Sequence, residues 1–160
     1  MSDSGNAKNL ETMVTDAVSI GSIGSPSTTG QLTVDVFGTA VQSSLVGSMA
    51  IFKFKQNGNV HYGLGQITEV LLKNSLAEEQ TMRGLTRQRG GVPQITENQD
   101  THMADMLTSA VFVDNSHGAS PASIGTVPST GTKIRLINQE IVDQLFAPFR
   151  DDISYVGKIM

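Results

Sequence analysis

The stretch Ala50-Ile51-Phe52-Lys53-Phe54-Lys55-Gln56-Asn57-Gly58-Asn59-Val60-His61-Tyr62-Gly63-Leu64-Gly65-Gln66-Ile67 decides the fold. Ala50, Phe52 and Phe54 fall on one side of an extended chain and Lys53 and Lys55 on the other, the period-two alternation of a half-buried strand. Gln56-Asn57-Gly58-Asn59 is a hairpin signal, because Asn-Gly takes the positive φ that tight turns need. The return strand carries Val60, Tyr62 and Leu64, changes phase at Ile67 and runs on to Leu71 and Leu72. A bulge near Gly63 or Gly65 produces such a change of phase, and barrels turn corners with glycines and bulges of this kind.

The same grammar extends outward. Ala17 to Gly24 reads as a strand that bends at its glycines, Ser25 to Gly30 as a turn, and Leu32-Thr33-Val34-Asp35-Val36 as an alternating strand. Met103 to Val113 places Met106, Ala110 and Phe112 on one face, and Thr132 to Ile137 is a further strand. Asn138 caps a short helix whose stripe is Ile141, Val142, Leu145 and Phe146, with Glu140 in its first turn and Pro148 after its end. About six short strands and one short helix predict a mainly β protein: a small closed or partly open β-barrel with a short helix near the C-terminus.

The expected organisation is a flexible lead over residues 1–16, with Leu10 to Asp16 as a helical turn or a lead-in, and a barrel over 17–147. The barrel carries an irregular insert at 73–102 and a Ser/Gly/Pro-rich loop at 114–131, and a connector follows at 148–160. The last residues, Ile153-Ser154-Tyr155-Val156-Gly157-Lys158-Ile159-Met160, read as the start of another strand, so the chain is expected to be the front part of a longer protein.

Composition narrows the function classes. With 160 residues, 16 glycines, 5% aromatics and no Trp, the chain suits one domain built on turns and close backbone approaches. A net charge of −4 argues against a free-standing nucleic-acid binder, which is usually basic, but leaves room for a local basic face. Without cysteine there is neither a disulfide framework nor a thiolate metal site. The polar start has no signal-peptide core and no stretch has the length of a membrane span, so the expectation is a soluble cytoplasmic protein without a membrane partner.

The order of Gly21-Ser22-Ile23-Gly24, the strand through Val36, Val46-Gly47-Ser48-Met49-Ala50-Ile51 and Gly65-Gln66-Ile67-Thr68-Glu69-Val70 resembles the N-terminal barrel of HerA-type ATPases, the HAS barrel. Pro128-Ser129-Thr130-Gly131, with the strand and helix after it, looks like the family's later proline-x-x-glycine element. Val156-Gly157-Lys158-Ile159 is similar to its last element before the nucleotide-binding domain. The resemblance covers most of Val18 to Met160; the insert at 73–102 and the loop at 114–131 depart from it. It implies a ring-forming barrel, itself non-catalytic, of a hexameric DNA-translocating ATPase in end resection or phage defence. The implied partners are further copies of the chain, a nuclease or other effector, and double-stranded DNA passing through the ring. ATP and magnesium are implied for the parent protein and no cofactor for this chain.

The remaining chemistry is sparse. No P-loop is present: Gly157-Lys158-Ile159 offers no hydroxyl for magnesium and no glycine five residues earlier. His61, His102 and His117 lack metal-ligand spacing, and His61, opposite Tyr62, reads as a solvated side chain. His117 with Ser120 lacks the glycine-flanked elbow of a hydrolase, and adjacent Asp151-Asp152 point apart on an extended chain. The best candidates for DNA or partner contact are Arg83, Arg87 and Arg89, interleaved with Gly84, Gly90 and Gly91, against the plainer reading of a solubilising loop. Two rival classes stay open: a standalone barrel of oligonucleotide-binding type, and a phage structural protein. Replacing Arg83, Arg87 and Arg89 together with Ala is expected to weaken DNA binding by the assembly and flatten its salt dependence; unchanged binding isotherms remove the arginines from the interface.

Overall fold

The computed structural model describes residues 9–74, 83–84, 87–88, 90, 100–115 and 118–146. They form helix α1 (Leu10–Asp16), strands β1 (Ser19–Ile23), β2 (Gln31–Val36), β3 (Met49–Gln56), β4 (Asn59–Lys73), β5 (Thr101–Asn115), β6 (Gly118–Ala122) and β7 (Lys133–Leu136), and helix α2 (Gln139–Phe146). The sheet order is β2-β1-β7-β3-β4-β5-β6, and β2 also pairs with β5. That last pairing closes six strands, all antiparallel neighbours, into a barrel, and β6 extends the sheet outside the ring.

The long hairpin is as the alternation predicts. Asn57 and Gly58 both have positive φ, 53° and 79°, and Gln56 pairs with Asn59, which is the two-residue turn whose twist suits flanking strands. Register between β4 and β5 shifts at Leu64/Gly65, where Ser109 of β5 is the extra residue, and again at Ile67/Glu69, where Thr68 of β4 is, so each strand carries one bulge as the wall turns. Ala50, Phe52 and Phe54 point inward with Ile20, Leu32, Val34, Ile67, Met106 and Ile134 to form the barrel core. Gly63 is required by this packing. It lies opposite Phe52 in the register, and a Cβ there would overlap the phenyl ring.

A second apolar cluster lies on the outside. Ile51, Tyr62, Leu64 and Phe112 turn away from the barrel core and are covered by Leu10 and Val14 of α1 and Ile141 and Leu145 of α2. Asn9 caps α1 through its side chain on the Thr12 amide (2.8 Å), and Asn138 caps α2 on the Ile141 amide (3.0 Å). Arg135 on β7 donates Nη1 to the carbonyls of Thr15 (2.9 Å) and Ala17 (2.8 Å), placing a cation at the carbonyl end of α1. Lys53 Nζ donates to Glu11 Oε1 at 2.7 Å, an exposed pair that contributes little beside the apolar burial. Burying Leu10 and Val14 is worth about 1.5–3 kcal/mol each, so apolar contact holds the helix and the charges orient it.

Three expectations change. Residues 10–16 of the expected lead are a docked helix, because Leu10 and Val14 sit one turn apart and share a face. The loop expected at 114–131 contains the end of β5 and all of β6, whose Ala119 is buried under the helices. The insert at 73–102 begins and ends in strand, at Lys73 and Thr101. The connector 148–160, with Asp151-Asp152 and Gly157-Lys158-Ile159, lies outside the described residues.

Gly63→Ala is expected to lower stability by about 1–3 kcal/mol through overpacking, read as a shift of the urea midpoint. Gly30→Ala, where a Cβ meets nothing within 4 Å, is the control and leaves the midpoint in place.

Candidate docking surfaces of the barrel

Three outward features of the barrel remain once its core is accounted for. The first is the far end of the β4–β5 ribbon. Pairing of β3 with β4 stops at Met49–Gln66, and the Gly47 amide donates to the Ile67 carbonyl (2.7 Å) as the last backbone tie on that flank. From Thr68 to Lys73, β4 has β5 on one side and no described strand on the other. Every residue from Thr68 to Lys73 is exposed, including Val70, Leu71 (54%) and Leu72 (56%). By register Val70 and Leu72 share the face of buried Ala104, and Leu71 takes the opposite face with Met103. Leu107 (52%) adds an exposed leucine on the neighbouring strand. At the ribbon's tip Asn74 Nδ2 donates to Asp100 Oδ1 at 2.6 Å, pinning together the two ends of the insert.

The second feature is a splayed seam between β3 and β7. Only Ala50–Leu136 and Ile51–Arg135 pair, with the Ile137 amide donating to the Met49 carbonyl (3.1 Å). Beyond Ile51 the strands part, and the segment 123–132 runs along the gap. Gln56 ties that segment at the far end, donating Nε2 to the Ser123 carbonyl (2.9 Å) and accepting from the Gly125 amide (2.7 Å). Between these ties lies a groove of about 430 Å³ bounded by Lys53, Phe54 and Lys55 on one wall and Val127, Pro128 and Thr132 on the other. It continues toward the hairpin tip beside Asn57 and Thr126.

The third feature is the outer cluster around Tyr62. Its ring is fully buried, and its hydroxyl has no hydrogen-bond partner among the described residues. Burial pushes the phenol up to about 12, with the carboxylates of Asp114 and Glu11 opposing ionisation further. The Glu11 carboxyl is itself held below its ordinary value by the hydrogen bond and charge of Lys53. Sequence reasoning missed Tyr62 because an outer face covered by helices from elsewhere in the chain has no local signature.

The residues singled out from the sequence fall as follows. Arg83 and Arg87 are exposed and make no ion pair with a described residue; Arg89 lies outside the described residues. His61, expected in solvent, is only 6% exposed: its ring packs on Phe54 with centroids 5.4 Å apart, and Nδ1 lies 3.0 Å from the Asn59 carbonyl. The hairpin register sets His61 directly opposite Phe54, so the two rings share one face. His102 is half-buried on β5 and His117 is outside the described residues. No group of three or more His, Asp or Glu that could hold a metal ion occurs among the described residues. Ser120 Oγ accepts from Asn115 Nδ2 at 2.9 Å, an amide contact and not the imidazole that would activate it. Phe52 and Phe54 are buried, as their alternation with the lysines predicts, and supply no stacking platform. No described helix is long and apolar enough to cross a membrane. No protein-family model and no curated protein matches the chain.

The sign of the pH dependence follows from Tyr62. The unfolded phenol ionises near 10 and the folded one near 12, so the unfolded chain binds fewer protons in that window and stability falls as pH rises from about 10 to 12. Tyr62→Phe is expected to abolish this loss and to leave stability at neutral pH equal or higher by up to about 1 kcal/mol. Thermal melts from pH 8 to 12 on the two proteins check both; identical alkaline losses contradict the assignment.

Proposed function

We propose that this chain is an oligomerisation and partner-docking barrel, the front end of a HerA-like ATP-dependent DNA translocase, with no catalysis of its own. The observation that carries this reading is the end of β4, which presents Val70, Leu71 and Leu72 outside the barrel core. Large apolar side chains gathered on an exposed strand end are unfavourable in water and favourable in a subunit contact. A strand flank without a described neighbour adds backbone donors and acceptors to such a contact. The order of barrel elements, resembling the HAS barrel, supplies the reading of ring and motor.

In this mechanism the chain contributes geometry. Ribbons packed between neighbouring copies fix a closed ring, six-fold by the resemblance. ATP hydrolysis with magnesium, and the force on double-stranded DNA, belong to a domain beyond this chain. In this reading the segment 73–102, with Arg83, Arg87 and Arg89, contacts DNA or an effector such as a nuclease, in DNA repair or antiviral defence.

Six copies are expected by native mass spectrometry and light scattering, and Leu71→Asp with Leu72→Asp is expected to reduce them to single chains without lowering the melting temperature. The reading frame after Met160 is expected to carry a glycine-lysine-serine or -threonine loop. Single chains from the unaltered protein at all concentrations remove the ring, and a stop codon after Met160 removes the motor.

A further inference from the structure

The splayed β3–β7 seam has the form of a receptor for one more strand. Its window is bounded by the Ile51–Arg135 pair at one end and by the Gln56 ties to Ser123 and Gly125 at the other. Between them lie Phe52, Lys53, Phe54 and Lys55, about 13 Å of extended chain at about 3.3 Å per residue. Alternation along an antiparallel strand sets the direction of the backbone groups. Met49 and Ile51 bond to β7 and Gln56 bonds across the hairpin to Asn59, so the N–H and C=O groups of Lys53 and Lys55 face the seam. No described backbone group pairs with them.

The walls select a chemistry. Lys53 and Lys55 lie on the outer face, and exposed Lys133 follows Thr132 on β7. Among the described residues no acidic side chain lines the groove. One carboxylate of the chain already sits on this face, since Glu11 accepts from Lys53 at 2.7 Å; Lys55 and Lys133 hold no ion pair with a described residue. On the inner side Phe54, Val127 and Pro128 are apolar.

We infer that the seam binds an extended acidic peptide of a partner protein by adding it as a strand to the free edge of β3. In such an addition a peptide residue opposite Lys53 or Lys55 shares the lysine face, and the residue opposite Phe54 shares the apolar face. The recognised pattern is therefore carboxylate, small apolar, carboxylate, with backbone bonds for affinity and the lysines for selection. Nucleic acid is the poorer fit, because the window has unpaired backbone groups to satisfy and no exposed aromatic ring for a base. The inference deepens the docking role proposed above, and rests on that reading for the partner's place in the assembly.

The experiment uses the whole chain with nitrogen-15 labelling and an acetylated hexapeptide alternating Glu and Val. The Lys53 and Lys55 amides are expected to shift first and to saturate together. Lys55→Glu, an alternating Lys/Val peptide, or a peptide with proline in the central positions is expected to bind at least tenfold more weakly. Lys55→Pro removes a seam-facing amide at an edge position that tolerates proline, and is expected to abolish binding with the remaining spectrum retained. If Lys55→Pro fails to fold, Lys55→Glu serves the same purpose. Shifts confined to other surfaces, equal binding of the Lys/Val peptide, or saturation by a hexathymidine strand in place of the peptide would each overturn the inference. Oligomer mass recorded on the same sample separates the two ideas: six copies without peptide binding removes the seam alone, and single chains that bind the peptide remove the ring alone.

Discussion

Closure of this barrel depends on one long strand pairing with three others. Thr101 to Val113 of β5 pair with β4 along one flank, Ser109 excepted; on the other, Met103–Leu107 pair with β2 and Val111–Asn115 with β6. A strand that changes partner must bend between the two registers, and the shift at Leu64/Gly65 supplies that bend. Gly65 sits where a Cβ would press on the Leu107 carbonyl and the Met106 side chain, so the close approach there also needs glycine. Without the β2–β5 pairing the sheet would have open edges at both ends of its order and no enclosed core.

Once the ring is closed, its outer surface is decided by length. Strands β4 and β5 are longer than any of their neighbours, so β4 runs on from Thr68 to Lys73 past its pairing with β3 and is exposed on both faces, while β5 beside it stays paired with β2 as far as Met103. Strand β7 has four residues and β3 eight, so the seam between them pairs only at one end and splays at the other. The ribbon and the groove are thus two consequences of one mismatch in strand lengths. A strand end exposed on both faces suits packing between rigid bodies. A seam with unpaired amides suits a flexible segment that brings its own backbone. That difference in chemistry is why we assign the ribbon to subunit contact and the seam to an extended partner.

The outer cluster links the termini of the described chain to this arrangement. Helices α1 and α2 cover Ile51, Tyr62, Leu64 and Phe112 on the outside of β3, β4 and β5, and Arg135 reaches from β7 to the end of α1. Covering that face buries a phenol whose hydroxyl finds no described partner, and raises its ionisation through loss of solvent. His61 is buried by register: it lies directly opposite Phe54 in the hairpin and shares its face, while Tyr62 takes the outer one.

The alternation of Ala50, Phe52 and Phe54 with Lys53 and Lys55, the Asn57-Gly58 turn and the Asn138 cap were legible in the sequence, because each is set by residues within a few positions of one another. The expected break in phase near Gly63 and Gly65 is instead two faces of one regular strand, with Tyr62 and Leu64 outside and Ile67 inside, and the extra residue of β4 is Thr68. The docked α1, strand β6 and the cover over Tyr62 were not legible, since each depends on a surface brought from far along the chain; His61 was misplaced because Tyr62, and not His61, faces away from Phe54. Arg83, Arg87 and Arg89 read as a site by charge and spacing; Arg83 and Arg87 are exposed and Arg89 lies outside the described residues. By itself the sequence determined a mainly β barrel with one hairpin and a capped helix, because local pattern and turn chemistry specify strands and their faces. Only the tertiary structure decided which strands close the ring, where the seam opens and which apolar residues stay outside, because those follow from strand lengths and registers matched across the whole chain.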